Sequence, residues 1–174
     1  KEGSGDGFTK ECEPNFVGSI YSKTKGMVEQ LIEAGEYDNV LTLRMRMPIS
    51  DDLHHRSLVT KITKYEKVVN IPNSMTVLTD MLPIGMALAR NNYIGRYNFT
   101  NPGSISHNEV LTLYRDIIDP KFTWKNFTLE EQDKILLGKR SNNCLNTCKL
   151  ENFCHVKDIK TSINDLLIKL KNNL

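Results

Sequence analysis

Residues 18–32, GSIYSKTKGMVEQLI, and residues 40–49, VLTLRMRMPI, decide the fold that the sequence predicts. In the first segment apolar side chains recur at spacings of three, four and seven, which indicates one face of a long helix ending near Gly35. In the second, apolar and polar side chains alternate until Pro48, which indicates a strand over residues 40–47. A helix followed by a mostly apolar strand is typical of the second half of a βαβ unit, so we expect parallel strands.

The rest of the chain continues the alternation of helices and strands. The predicted elements are helices over residues 58–65, 80–91 and 159–170, strands over 67–71 and 96–100, and a polar turn over 72–74. Pro83 is expected within the first turn of its helix, where its missing N–H costs nothing. Two capping boxes, Ser106 with Glu109 and Thr128 with Glu131, predict two further helix starts. The order of elements predicts an α/β protein.

The overall composition is that of a globular protein and excludes several classes. Hydrophobic residues make up 39% and charged residues 25% of the 174 residues. The 23 basic and 21 acidic side chains leave a net charge of +2. No run of Lys and Arg is dense enough to bind along a phosphate backbone, so nucleic acid is not an expected partner. No apolar stretch approaches the roughly 20 residues that cross a bilayer, so neither a membrane nor secretion is expected and the predicted location is the cytoplasm.

Four cysteines lie at positions that suit neither a disulfide scaffold nor a metal centre. Cys12 stands far from Cys144, Cys148 and Cys154, and we interpret all four as free thiols. The last three, together with His155, have irregular spacing for zinc ligands. We therefore expect no metal site.

Tyr21 and Lys25 form the sharpest local signal for chemistry. They stand one turn apart on the same face of the predicted helix. A nearby ammonium stabilises a phenolate, which makes such a tyrosine a usable proton donor to a carbonyl oxygen as hydride reaches the carbon. The alternative is an amphipathic helix with a half-buried tyrosine and solvated lysines.

Longer stretches of the chain resemble one family. Between about residues 3 and 150 the matching segments are GSIYSKTKGMVEQL, LRMRMPIS, VVNIPNSMTVL, LPI, YNFTNPGSISHNEVL, NFTLEEQ and RSNNCLNTCKL. They resemble the bifunctional UDP-4-keto-6-deoxyglucose 3,5-epimerase/4-reductases that make UDP-rhamnose. The resemblance extends more distantly to dTDP-4-dehydrorhamnose reductase, within the extended short-chain dehydrogenase/reductases.

The resemblance implies how the chain is organised. It implies the C-terminal portion of a Rossmann-type parallel sheet plus a small, mostly helical substrate-binding region. Residues 1–50 would end the dinucleotide-binding domain, and residues 51–174 would form the substrate-binding region with returning Rossmann elements. The Gly-rich loop that carries the cofactor pyrophosphate is absent from this sequence, so we expect a piece of a longer enzyme.

The same resemblance implies a reaction and its residues. NADPH, with NADH as the alternative donor, would reduce the C4 ketone of a UDP- or dTDP-linked 4-keto-6-deoxyhexose after epimerisation at C3 and C5. Tyr21 would be the general acid, and Lys25 its partner and a ribose ligand. Lys61 matches a candidate acid/base residue of the epimerase, with a solvated surface lysine as the alternative. Pro48 and Ile49 would lie against the nicotinamide.

Two polar segments are predicted to bind the substrate. Asn73, Ser74 and Thr76 form a polar turn that can meet sugar or base, with a plain surface turn as the alternative. The segment with Arg140, Asn142 and Asn143 resembles the part of the family in which a guanidinium pairs with diphosphate oxygens; the competing interpretation is a buried structural arginine. A homodimer is one option for the assembly.

Two other functions stay open at this point. One is a 4-reductase without epimerase activity, which an idle Lys61 would indicate. The other is a catalytically silent, reductase-like binding or regulatory protein, because one fold hosts many functions. The intact pair of Tyr21 and Lys25 argues against the silent protein.

Overall fold

The computed structural model describes residues 7–35, 37–128, 130–131 and 141–173. Helices and strands alternate along the chain, as the sequence predicts. The helices are α1 (Ile20–Ala34), α2 (Leu58–Ile62), α3 (Leu78–Arg90), α4 (His107–Ile117), α5 (Cys148–Glu151) and α6 (Ile159–Asn172). The strands are β1 (Leu41–Arg44), β2 (Pro48–Ile49), β3 (Lys67–Val68), β4 (Thr76–Val77), β5 (Gly95–Asn98) and β6 (Lys125–Asn126).

The strands of the described part pair in parallel. β1 pairs with β5 from Leu41 opposite Gly95 to Arg44 opposite Asn98. β2 pairs with β4, and β3 pairs with β6, also in parallel. Parallel neighbours need a crossover connection, and helices lie between the paired strands along the chain. The predicted α/β class with parallel strands is confirmed.

Two clusters of buried apolar side chains hold these elements together in the described structure. The larger joins β2 and β4 to helices α2, α4 and α6. The smaller lies between α3, β5 and α5 and is centred on Phe99, which is 1% exposed. At Gly85 in α3 an added Cβ would stand 3.0 Å from Phe99 Cζ, so the absence of a side chain lets α3 approach closely. No described helix is both long and apolar enough to cross a membrane.

The predicted strand over residues 40–47 is wrong in its extent. β1 ends at Arg44, and β2 follows after a break in which Met47 adopts a φ of 42°. That left-handed backbone conformation is unfavourable for a residue with a Cβ and turns the chain out of the strand. Pro48 therefore begins a strand instead of ending one.

The prediction for Pro83 is also wrong. Helix α3 begins at Leu78, which places Pro83 in its second turn. There the ring removes the N–H that would bond the carbonyl of Thr79. Both residues are exposed, so water can satisfy that carbonyl and the helix continues.

The predicted polar turn over residues 72–74 is part of a backbone pairing. Asn73 N donates to the carbonyl of Ile105 over 3.1 Å, and Ile105 N donates to the carbonyl of Asn73 over 3.0 Å. Asn73 is 2% exposed. A surface turn is therefore the wrong interpretation of this segment.

Both predicted capping boxes have their reciprocal hydrogen bonds. Glu109 N donates to Ser106 Oγ over 3.2 Å, and Ser106 N donates to Glu109 Oε2 over 2.9 Å. Thr128 and Glu131 make the equivalent pair of bonds at 2.9 and 3.1 Å. The predicted closing helix corresponds to α6, which Asp158 caps.

Ser106→Ala is expected to lower the free energy of unfolding by about 1–2 kcal/mol, because it leaves the Glu109 N–H unpaired at a helix start where Ser106 is 3% exposed. Chemical denaturation measures the change. Ser106→Thr retains the hydroxyl acceptor and should restore most of the loss. Equal destabilisation by both variants would contradict the capping role.

Candidate active site

One cavity of about 570 Å³ contains both members of the predicted Tyr/Lys pair. Its walls come from α1, the segment before α1, strand β1 with the two residues after it, and the segment 141–145. Tyr21 and Lys25 form one wall, and Arg46 and Asn143 lie in others. The cavity therefore joins residues far apart in sequence beside the carboxyl end of a parallel strand, where open α/β sheets bind ligands.

Tyr21 and Lys25 are presented on the open face of α1. Ser19 begins the helix, and its Oγ accepts a hydrogen bond from Ser22 N over 3.1 Å. Tyr21 is 72% exposed, so its hydroxyl is available to a ligand. Lys25 Nζ lies 5.7 Å from the centre of the Tyr21 ring. The predicted pairing of a phenol with an ammonium is thus present.

An ion-pair network fastens α1 to the sheet. No residue of α1 is buried. Instead Glu29 Oε1 accepts from Arg44 Nε on β1 over 2.7 Å and from Arg96 Nη1 on β5 over 3.3 Å. Arg96 also pairs with Glu33 one turn further along. One face of the helix is thereby fixed by charges from both strands.

Arg44 also fixes the segment before α1. Its Nη2 donates to the carbonyl of Cys12 over 3.1 Å, and its Nη1 donates to the carbonyl of Lys10 over 3.3 Å. The guanidinium therefore binds helix, strand and preceding segment at once. This arrangement sets the position of Tyr21 relative to the end of β1.

Asn73 is the centre of a second network, which holds the lining residues Arg46 and Asn143 from behind the cavity wall. Its Oδ1 accepts from Arg46 Nη2 over 2.8 Å and from Asn143 N over 3.0 Å. Its Nδ2 donates to the Ile71 carbonyl over 3.2 Å and to Asn142 Oδ1 over 3.1 Å. The amide uses its whole capacity within the protein, so Asn73 holds cavity residues in place.

Ser74 and Thr76 extend this network. Both are 0% exposed. Ser74 Oγ accepts from Leu145 N over 2.9 Å, and Thr76 Oγ1 donates to the carbonyl of Phe99 over 3.2 Å. Neither is a lining residue of the Tyr21 cavity as described. Their placement suits positioning of the segment 141–145, and direct substrate contact by these two side chains stays a prediction.

Arg46 differs from Arg44 in its surroundings. Its Nη2 is held by two neutral acceptors, Asn73 Oδ1 and the carbonyl of Ser141, each over 2.8 Å. No carboxylate in the described residues pairs with it. Burial lowers the pKa of the Arg46 guanidinium, as expected for a cation removed from water.

The other predicted site residues lie at different places. Pro48 is exposed on β2, whereas the side chain of Ile49 is 0% exposed inside the larger core, so its backbone is the part that can face a ligand. Lys61 is exposed on α2 and is not among the described lining residues of the Tyr21 cavity. Arg140 lies outside the described residues.

The cysteines do not form a metal site in the described part of the chain. Cys12, Cys144, Cys148 and Cys154 are all free thiols. No group of three or more His, Cys, Asp or Glu side chains that suits a metal occurs among the residues the structure describes.

Sequence reasoning assigned no role to Arg46 or Glu29. Arg44 and Arg46 occupy the polar positions of an alternating strand, and a parallel strand is usually covered on both faces. Two arginines there must each have a partner or a ligand. The sequence contains that signal but does not show the partners, which come from distant segments.

Comparison with curated proteins shows extensive similarity to enzymes of rhamnose synthesis, although no family model matches the chain. The chain is 59% identical over 163 residues to a bifunctional dTDP-4-dehydrorhamnose 3,5-epimerase/dTDP-4-dehydrorhamnose reductase of Arabidopsis thaliana. It is 58% identical over 164 residues to a trifunctional UDP-glucose 4,6-dehydratase/UDP-4-keto-6-deoxy-D-glucose 3,5-epimerase/UDP-4-keto-L-rhamnose-reductase of the same plant. These matches include 92% and 93% of this chain. The chain spans 54% of the first relative and 24% of the second.

Solved structures of rhamnose-synthesis enzymes are also similar to this chain. The UDP-rhamnose synthase of Acanthamoeba polyphaga mimivirus superposes with a TM-score of 0.91 at 48% identity, over 95% of this chain and 58% of that one. The dTDP-4-dehydrorhamnose reductase of Bacillus anthracis, in complex with NADP, superposes with a TM-score of 0.78 at 16% identity, over 97% and 62%. The second likeness concerns the fold, which is the predicted Rossmann-type arrangement.

Proposed function

We propose, from the premise that this chain is a homologue of the epimerase/reductases of rhamnose synthesis over more than nine-tenths of its length, that it is the C-terminal part of such an enzyme. Residues 1–50 then end the dinucleotide-binding domain, and residues 51–174 form the substrate-binding region. The reaction is NADPH-dependent reduction of the C4 ketone of a UDP-linked 4-keto-6-deoxyhexose. A cytoplasmic location and a homodimer stay predictions.

The observation that carries this proposal is the cavity shared by Tyr21 and Lys25. The pair lies on one face of α1 beside the end of β1, and Tyr21 is 72% exposed to the cavity and solvent. A carbonyl oxygen placed at the Tyr21 hydroxyl is within reach of a proton donor. This geometry supports reduction of a ketone.

Tyr21 donates its proton to the C4 oxygen as the carbonyl carbon is reduced to an alcohol. Lys25, one turn away, stabilises the phenolate that remains, because opposite charges attract strongly at short range. When bound, NADPH supplies the hydride for this step. The phenolate is reprotonated from solvent, to which the Tyr21 side chain is open.

The residues present fit the nicotinamide end of such a cofactor. The Lys25 ammonium and the Tyr21 hydroxyl are donors that suit ribose hydroxyls, and both line the open cavity. Pro48 and the backbone of Ile49 follow β1, at the edge where a nicotinamide would lie. The predicted cofactor contacts of these four residues stay a proposal.

Epimerisation at C3 and C5 is the finer part of the proposal. A ketone acidifies its neighbouring C–H bonds, so a base removes a proton to give an enolate and an acid returns a proton to the other face. Lys61 is the candidate for one of these transfers. Lys61 is not among the described lining residues of the Tyr21 cavity. This placement favours a second candidate function, a 4-reductase without epimerase activity.

Lys61→Met separates these two functions. If Lys61 transfers protons in epimerisation, its loss should slow incorporation of solvent deuterium at C3 or C5 by about 10²-fold or more, while reduction of an already epimerised substrate continues. Lys64→Met, at an exposed lysine one turn further on, is the matched control. Unchanged exchange in Lys61→Met would exclude Lys61 from these proton transfers, and absence of exchange in the wild type would indicate a 4-reductase without epimerase activity.

The whole proposal is tested by NADPH oxidation with UDP-4-keto-6-deoxyglucose, using the natural full-length protein. Conversion to UDP-rhamnose is the expected result. Binding of cofactor and nucleotide without any turnover would contradict it and would favour the silent binding protein.

A further inference from the structure

We propose that Arg46 is an anion-binding residue of the Tyr21 cavity and that its guanidinium binds a diphosphate oxygen of the bound nucleotide. This inference rests on the proposed function, because it names the part of the ligand that this wall of the cavity holds. Diphosphate occurs in both the nucleotide sugar and the cofactor. The chemistry is the same for both, and the test below distinguishes them.

The charges of the cavity do not balance at Arg46. Two carboxylates line the cavity, Glu13 and Glu29. Glu29 is already shared by Arg44 and Arg96, and Glu13 makes no ion pair with a described residue. Among the residues that the structure describes, Arg46 is therefore a partly buried cation of the cavity wall without a carboxylate partner. Buried charges are normally paired, since an unpaired one is costly to remove from water.

Arg46 leaves several of its N–H donors unused. A guanidinium has five N–H donors in a rigid fork. Nη2 bonds Asn73 Oδ1 and the Ser141 carbonyl. Nε is buried without a hydrogen-bond partner, and Nη1 bonds none of the described residues. The remaining donors, chiefly Nη1, suit a phosphate oxygen, which an arginine binds through a charged hydrogen bond.

The Arg46 guanidinium is held in position without losing its charge. Both partners of Nη2 are neutral oxygens, so they orient the guanidinium without neutralising it. Arg44, two residues earlier at the end of β1, is neutralised by Glu29 at 2.6 Å and serves to fasten α1. The two arginines thus share a cavity but differ in the charge that they offer to a ligand.

A neighbouring group points to the same kind of ligand. Asn143 lines the cavity, and its Oδ1 is buried without a hydrogen-bond partner. Its Nδ2 is occupied by Ser141 Oγ over 2.9 Å. The Asn143 acceptor and the unused Arg46 donors belong to residues that line the same cavity. Together they suit a ligand that has both hydroxyl and phosphate groups, as a nucleotide does. A bound nucleotide would then supply hydrogen-bond partners for Asn143 and Arg46, as buried polar groups normally require.

The test compares Arg46→Met with the wild type in the natural full-length protein, using UDP, uridine and NADPH as probes. UDP and uridine binding are measured by isothermal titration calorimetry and NADPH binding by fluorescence titration, none of which requires turnover. UDP affinity should fall about 10- to 100-fold, because a charged hydrogen bond is lost, while uridine affinity is unchanged. The salt dependence of UDP binding should also weaken. Arg90→Met, at an exposed arginine of α3 outside the cavity, is the control.

A second variant guards against a structural effect of losing Arg46. Asn73→Asp retains an acceptor for Arg46 Nη2 but places a carboxylate there, which neutralises the guanidinium in place. UDP affinity should fall in this variant as well, again without loss of uridine affinity. If Asn73→Asp is unstable, the salt dependence in Arg46→Lys, which keeps the charge but not the fork, serves instead and should stay as in the wild type.

The outcomes are distinct. Loss of affinity for UDP alone supports binding of the nucleotide-sugar diphosphate, and loss for NADPH alone supports binding of the cofactor diphosphate. Unchanged affinities, or an equal loss for UDP and uridine, would overturn the anion-binding role. Turnover of the wild type is measured in parallel, so a failure of the proposed function is seen independently.

Discussion

Tyr21→Phe is expected to lower kcat for NADPH-dependent reduction by about 10²- to 10⁴-fold, which is the usual contribution of a positioned general acid. The substitution removes one hydroxyl from a side chain that is 72% exposed, so folding should be unaffected. The effect on kcat should exceed any effect on cofactor affinity, because Lys25 remains as a donor to the ribose. Steady-state and single-turnover kinetics, followed by NADPH absorbance, measure the effect.

The matched control is Tyr37→Phe, which removes an exposed hydroxyl from a residue that lines another cavity. It should retain wild-type turnover. A Tyr21→Phe enzyme with nearly full kcat would show that the proton comes from elsewhere, and the role assigned to the cavity would have to be abandoned.

Asn73→Leu is expected to reduce the free energy of unfolding by about 3–5 kcal/mol, the range for breaking a buried polar network. The side chain is 2% exposed and its amide makes two accepted and two donated hydrogen bonds. Leucine has a similar size but satisfies none of these partners, among them Arg46 and the Asn143 N–H. Denaturant titration of the natural protein measures the loss.

Asn91→Leu is the matched comparison, because Asn91 is exposed and its amide makes a single bond to the Ala87 carbonyl at 2.8 Å. Its effect should stay within about 0.5 kcal/mol, as is usual at surfaces. If Asn73→Leu is no more destabilising than Asn91→Leu, the amide network does not hold the cavity wall.

The sequence was most informative where one local pattern determines one element. The apolar spacing of residues 18–32 and 159–170 led to helices that the structure has as Ile20–Ala34 and Ile159–Asn172. The capping signal at Ser106 was correct for the same reason, since both partners lie within one turn. Short-range geometry of this kind depends little on the rest of the chain.

Strand limits were less predictable because they depend on partners elsewhere. The alternation over residues 40–47 continues past Arg44, where β1 ends, as far as Met47 with its φ of 42°, and nothing local marks that break. The pairing of Pro48 opposite Thr76 decides it, and this is a contact across 28 residues. Likewise the polar residues at 73–76 read as a surface turn, although distant partners bury them.

The shared position of Tyr21 and Lys25 was predictable, whereas the other walls of their cavity were not. The spacing of Tyr21 and Lys25 follows from one helix, so the pair could be named from the sequence. Arg46 could not, because its two partners come from residues 27 and 95 positions away. Burial and charge balance become visible only when those segments meet.

The network around Asn73 also has a consequence for how the protein forms. Its bonds join residues separated by 27, 69 and 70 positions, and Arg46 reaches as far as Ser141. Closing loops of that length is entropically unfavourable, so such contacts form late in folding. During synthesis the wall formed by residues 141–145 cannot be completed until the ribosome has released residues beyond Leu145. Until then the cavity around Tyr21 lacks one of its sides.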